Sequence, residues 1–137
     1  NEGHSAFQIL ERCRQLIALH NLDFHTALEA VAGSTVFTTH TPVPAGHDIF
    51  DQNLIREYFA DYVKELNISM DELLALGLSA QSHTGFNMTA LALRGSRFHN
   101  GVSRIHATRR RAWKATFGRR FRPKKTRCAM SPTACMC

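Results

Sequence analysis

Residues Ser34 to Asp48 read STVFTTHTPVPAGHD, and the fold turns on how that stretch is read. Thr35, Val36, Phe37, Thr38 and Thr39 are β-branched or aromatic and suit a short pleated strand. Pro42 and Pro44 lack the backbone donor that a ladder needs, so the strand ends before them. His40 and Thr41 therefore fall at the strand's exit, and Ala45-Gly46 permits a small turn beyond. Ligands of open α/β sheets bind just outside the carboxyl ends of strands, so this is the candidate ligand-facing loop.

Upstream, the sequence predicts two helices. Ser5 and Gln8 have capping-box spacing, and Ala6, Ile9, Leu10, Cys13, Leu16 and Ile17 recur with helical period. Asp23 reads as the cap of a second helix, buried through Phe24, Ala27, Leu28 and Val31 and stopped near Gly33. Helix followed directly by strand argues for α/β architecture.

Downstream, Asp51 or Asn53 can cap a third helix with an apolar face of Ile55, Tyr58, Phe59, Tyr62, Val63 and Leu66. Ser69 to Glu72 is another capping box, opening a short helix through Leu73, Leu74 and Leu76 to Gly77. Leu78–Gly85 reads as a polar loop, and Asn87 as the cap of a helix through Met88, Leu91 and Ala92, broken at Gly95-Ser96. Phe98–Val102 is a second possible strand. Two strands cannot complete a sheet, so the missing ones must come from other sequence or a partner.

The 137 residues suffice for one modest domain, and a start at Asn1 rather than Met reads as a piece of something longer. No run approaches the roughly 20 apolar residues of a membrane span, and the amino terminus has no signal-peptide pattern. The net charge of +6 averages two unlike parts. Residues 1–106 hold 7 Lys/Arg and 11 Asp/Glu, giving 7 − 11 = −4, whereas residues 107–137 hold 10 Lys/Arg and no acid. A change that abrupt marks a boundary or an interaction tail.

Few residues carry recognisable chemistry. His40 could meet a substrate through its ring or backbone, although a loop histidine more often bonds its neighbours. His4 precedes a helix start whose free N–H groups could meet a polar ligand, with simple capping as the commoner role. No nucleophile pairs with either. The eight histidines match no zinc spacing, and Cys128, Cys135 and Cys137 contain no CxxC pair. The basic run from Arg109 to Arg127, interleaved with Trp113 and Phe117, is compatible with phosphate and single-strand binding. A nucleic-acid-binding tail is accordingly the rival function, against a disordered extension with no selected role.

Four blocks together resemble the α-glucan phosphorylases, which cleave glycogen, starch or maltodextrin with inorganic phosphate. They are Asn1-Glu2-Gly3-His4-Ser5, Thr38-Thr39-His40-Thr41-Pro42-Val43-Pro44, Phe86 to Leu93 (FNMTALAL) and Asn100 to His106 (NGVSRIH). Their order and separations are most like the bacterial and archaeal branch, and the resemblance covers residues 1–106. It implies a partial amino-terminal Rossmann-like domain of a two-domain (GT-B) glycosyltransferase, mostly helical, with one or two short strands and an incomplete sheet.

The resemblance also implies a cytoplasmic enzyme that releases glucose 1-phosphate from terminal α-1,4-glucosyl units. Its partners are the glucan and phosphate, with no membrane or nucleic acid. Its cofactor is pyridoxal phosphate, whose phosphate relays a proton and whose lysine belongs to a carboxyl-terminal domain absent here. Position by position, His40 matches a histidine whose backbone carbonyl contacts the glucosyl residue at the cleavage subsite, with Thr41 beside it. Val102 matches a residue near that sugar, and Asn100 and Gly101 shape the same wall. His4 and Glu2 match the segment bordering the sugar side of the cleft. All are positioning groups; none is catalytic.

The resemblance stops after His106. Thr133 to Cys137 requires codons ACN-GCN-TGY-ATG-TGY, which regrouped one base earlier permit Asn-Gly-Val-His-Val, a family motif expected soon after this point. The same regrouping of Arg122 to Ala129 permits Pro-Pro-Glu-Glu-Asn-Pro-Met-Arg, and Trp113-Lys114 forces a Glu. Residues from about 107 onward are thus expected to be out of frame, and their basic charge a coding accident.

Overall fold

The structure, a computed structural model, describes residues 3–39, 48–79 and 85–101. A 3-10 turn at Gly3–Ser5 leads into α1 (Phe7–His20), followed by α2 (Phe24–Gly33) and β1 (Val36–Thr39). Then come β2 (Ile49–Asp51), α3 (Gln52–Tyr58), α4 (Tyr62–Glu65), α5 (Met70–Gly77), β3 (Gly85–Asn87), α6 (Met88–Arg94) and β4 (Phe98–Gly101). The described residues are mostly helical, as an α/β segment with little sheet should be.

Several boundaries follow from the side chains read in the sequence. Asp23 caps α2 by accepting from the Thr26 N–H at 3.1 Å. Asp51 caps α3 by accepting from the Asn53 N–H at 2.7 Å. Ser69 and Glu72 form a reciprocal capping box on α5. Asn87 caps α6, its Oδ1 accepting from the Thr89 and Ala90 N–H groups at 2.9 and 3.1 Å.

The start of α1 falls one residue later than the spacing suggests: Ser5 belongs to the 3-10 turn, and Ala6 in helical conformation sits at the α1 boundary. The Ala6 N–H donates to the Gly3 carbonyl at 2.8 Å and the Ile9 N–H to the Ala6 carbonyl at 3.0 Å, so bonds spanning three residues carry the turn into the helix.

The expected third helix is two helices. Its apolar spacing persists through Ile55, Val63 and Leu66, all buried, but the helix is interrupted between Tyr58 and Tyr62. At the break the Phe59 ring packs on Phe7 at 5.0 Å and edge-on to Tyr62 at 5.5 Å. Tyr58, placed on the buried face by periodicity, is 74% exposed.

Where one or two strands were expected, the described residues hold four short ones, in two separate pairs. β1 and β4 run parallel, with Val36, Phe37, Thr38 and Thr39 opposite Phe98, His99, Asn100 and Gly101. β2 and β3 run antiparallel, with Phe50 opposite Phe86. At three residues each, the second pair is too short to show an alternating pattern, and Gly85, which begins β3, had been read as loop.

The core is one contiguous cluster. Ile9, Leu10 and Cys13 of α1 meet Ala27, Leu28 and Val31 of α2, Leu73 and Leu74 of α5, and Met88 and Leu91 of α6. Phe86 is a fully buried ring, and burying a residue of that size contributes about 1.5–3 kcal/mol relative to exposure. Among the described residues no helix is long and apolar enough to cross a membrane.

Candidate functional site

The parallel register brings two carboxyl strand ends together. Thr39 pairs with Gly101, so the chain leaves β1 towards His40 beside the point where it leaves β4 towards Val102. Two of the blocks singled out in the sequence thus become adjacent strand ends, at the kind of location where α/β sheets bind ligands.

The other two blocks also meet. A Cβ built on Gly3 would lie 3.1 Å from the Met88 Cβ and 3.4 Å from both the backbone nitrogen and Oγ1 of Thr89. The 3-10 turn carrying His4 is therefore pressed onto the start of α6, with little room for a side chain at position 3. Only Gly95, Ser96 and Arg97 separate α6 from β4, and the His99 ring lies 3.3 Å from the Leu93 carbonyl as the strand folds back past the helix. β2 adds a further tie, because the Met88 N–H donates to the Asp48 carbonyl at 3.0 Å.

Three of the expected site residues lie among the described ones. Asn100 is exposed on β4 opposite Thr38, and Gly101 ends β4 opposite Thr39. His4 is the middle residue of the 3-10 turn. Glu2, His40, Thr41 and Val102 lie outside the described residues, as do residues 107–137.

A separate feature had no signal in the sequence. Phe7, Gln8, Glu11, Tyr58, Phe59 and Tyr62 line an open groove of about 440 Å³. Its polar wall is a network: Glu11 accepts from Arg14 at 2.8 Å and from the Tyr62 hydroxyl at 3.0 Å, and Arg14 also reaches Glu65 at 3.0 Å. Hydrogen bonds from Arg14, then Gln15 and Tyr62, hold the Glu11 carboxyl at about 2. Burial, followed by the bond to Glu11, pushes the Tyr62 phenol well above its ordinary range. Periodicity places Tyr58, Phe59 and Tyr62 on one buried helix face because helical period cannot register the break at Phe59.

Two other chemistries find no seat. Lys64 is the one lysine among the described residues; it is exposed and paired with Asp61 at 2.7 Å, so these residues do not fit a Schiff-base cofactor. Among the described residues no three His, Cys, Asp or Glu side chains converge as metal ligands. Cys13 is fully buried, and burial pushes its thiol to about 12.

No family model matches the chain. Glycogen phosphorylase of Mycobacterium tuberculosis is 42% identical over 118 residues, covering 82% of this chain and 14% of that protein. Maltodextrin phosphorylase of Thermococcus litoralis is 42% identical over 107 residues, 78% of this chain and 12% of its own length. Glycogen phosphorylase of Aquifex aeolicus is 32% identical over 108 residues, 77% of this chain and 15% of its own. The chain thus spans about one seventh of the relatives it matches. On this similarity it belongs to the glycogen and maltodextrin phosphorylase family, as a segment of it.

Proposed function

We propose that residues 1–106 are part of the sugar-binding half of an α-glucan phosphorylase, which transfers terminal α-1,4-glucosyl units to inorganic phosphate in the cytoplasm. The observation that carries the reading is pairwise convergence. Thr39 beside Gly101, and Gly3 against Met88 and Thr89, join the four blocks into two contacts linked by one short turn. Sequence identity to proteins named glycogen and maltodextrin phosphorylase supports it.

On this reading the strand ends aim His40, Thr41 and Val102 at the terminal glucosyl unit, with Asn100 and Gly101 forming the wall and His4 and Glu2 the border. Pyridoxal phosphate supplies the acid–base phosphate when bound. Its lysine comes from sequence outside residues 1–106, since Lys64 does not fit the role. The 137-residue chain alone is inactive, because it holds positioning groups without the reacting ones.

The test is a graft. Residues 1–106 replace the matching segment of the Mycobacterium tuberculosis glycogen phosphorylase, and glucose 1-phosphate release from maltodextrin is measured. Retained phosphorolysis supports the assignment; a folded graft without it overturns it.

A further inference from the structure

Both strands of the β1–β4 pair start from one place, the carboxyl end of α2. The Ala32 carbonyl accepts from the Thr35 N–H at 3.3 Å and from the Arg97 N–H at 2.8 Å. One backbone oxygen thus holds the chain just before β1 and just before β4, using both its lone pairs. Arg12 of α1 grips the same joint from the side. Its guanidinium donates from Nη1 to the Thr35 hydroxyl at 2.9 Å and from Nη2 to the Ser34 hydroxyl at 2.7 Å. Those hydroxyls donate in turn to the Val31 carbonyl, at 2.6 Å from Thr35 and 3.1 Å from Ser34. The cation therefore lies at a helix carboxyl end, where the helix dipole favours it.

The grip matters because of where β1 leads. From Thr35 the strand runs four residues, roughly 13 Å at about 3.3 Å per residue, to the paired strand ends of Thr39 and Gly101. A start displaced by one residue would shift that exit by about 3.3 Å and turn every β1 side chain to the other face. Two hydrogen bonds from one planar fork fix both the position and the rotation of the start, which a single point charge cannot do. We propose that Arg12 is a positioning residue for the glucosyl subsite: through Ser34 and Thr35 it sets where β1 lies against β4. The proposal rests on the functional reading above and adds to it a residue of α1 that acts from the far end of the strand.

The variants are Arg12→Met, Arg12→Lys and the pair Ser34→Ala with Thr35→Val, and Arg56→Met is the control. Arg56 is exposed on α3 and pairs with Asp71, so its loss removes a similar charge without touching the α2–β1 joint. In the 137-residue chain Arg12→Met should speed amide hydrogen exchange in β1 and β4 about tenfold relative to Leu73 and Leu74 of α5, and Arg56→Met should not. In the same graft Arg12→Met should lower kcat for maltodextrin about tenfold and leave KM within about twofold. Remote glucosyl units still hold the substrate while the terminal one is misplaced. Arg12→Lys should recover part of kcat, since one of the two bonds can re-form. The Ser34 and Thr35 pair should match Arg12→Met, and combining all three should cost nothing further. Unchanged strand exchange, faster exchange with unchanged kcat, or losses that add in the combined variant each overturn the proposal. An unmodified graft without phosphorolysis overturns the functional reading instead, and the exchange measurement alone then decides whether Arg12 sets the strand.

Discussion

The Asp48 carbonyl accepts from the Met88 N–H at 3.0 Å, pinning the chain that follows the proline stretch to the first residue of α6. The chain before that stretch is pinned separately, by Thr39 on Gly101. The residues on either side of that stretch are thus tied to two of the three other blocks that carry the family likeness. Positioning a sugar through a backbone carbonyl needs such ties, because a misplacement of about 1 Å can cost a hundredfold in rate.

Asn87 is the keystone of that arrangement. Its Oδ1 serves two N–H donors of α6, and the residue is 4% exposed. Asn87→Ala removes the acceptor that both N–H groups share, so it should cost about 2 kcal/mol in urea unfolding of the full chain. Asn87→Ser keeps an acceptor and should lose less. Equal losses would show that the cap is not what the side chain supplies.

Two glycines should respond in opposite directions. A Cβ on Gly77 would collide with the Phe86 ring, which is itself 1% exposed and cannot withdraw cheaply. Gly77→Ala should destabilise by about 1–3 kcal/mol through overpacking. Gly33, the last residue of α2, has nothing within 4 Å of the same position. Gly33→Ala should be neutral or stabilising by about 0.4–1 kcal/mol, by restricting the unfolded chain. Matching shifts in urea midpoint would contradict the packing described around Phe86.

Glu11 should make part of the stability acid-sensitive. Its folded carboxyl titrates at about 2 against an ordinary 4.5, chiefly because Arg14 donates to it. The group is charged in both states above 4.5, where its stabilisation is complete. It is lost as pH falls through about 2, where the folded carboxyl also takes a proton. The urea midpoint of the parent should therefore decline between pH 4.5 and 2, and Glu11→Gln should flatten that decline. An unchanged slope in the variant would place the acid sensitivity elsewhere.

What the sequence made legible was local and chemical. Asp23, Asp51, Ser69 and Asn87 announce their helices because a cap needs one side chain at one offset. β1 was readable from its β-branched and aromatic content and the prolines beyond it, and β4 as a possible strand from Phe98 onward. The break at Phe59 was not readable, because it depends on Phe7, some fifty positions away in the chain, and i/i+4 spacing continues across it. Nor were β2 and β3, which pair over only three residues each, Ile49 to Asp51 opposite Asn87 to Gly85. For the site, the motif blocks were visible in the sequence, but which blocks touch came only from the register of two parallel strands.

The carboxyl-terminal residues raise the last prediction. A body of charge −4 joined to 31 residues carrying +10 and no acid is unusual for one continuous reading frame. Regrouped codons permit Asn-Gly-Val-His-Val in place of Thr133 to Cys137 and force an acid after Trp113, in line with the residue types the upstream blocks lead one to expect. Resequencing across the codons for Ile105 to Thr108 should find one base gained or lost, and an intact frame would end the idea. In that event the tail becomes a feature to explain by function. A DNA titration of the full chain against residues 1–106 would then decide, since ten cations gripping phosphates must give binding that is confined to the longer chain and falls steeply with salt.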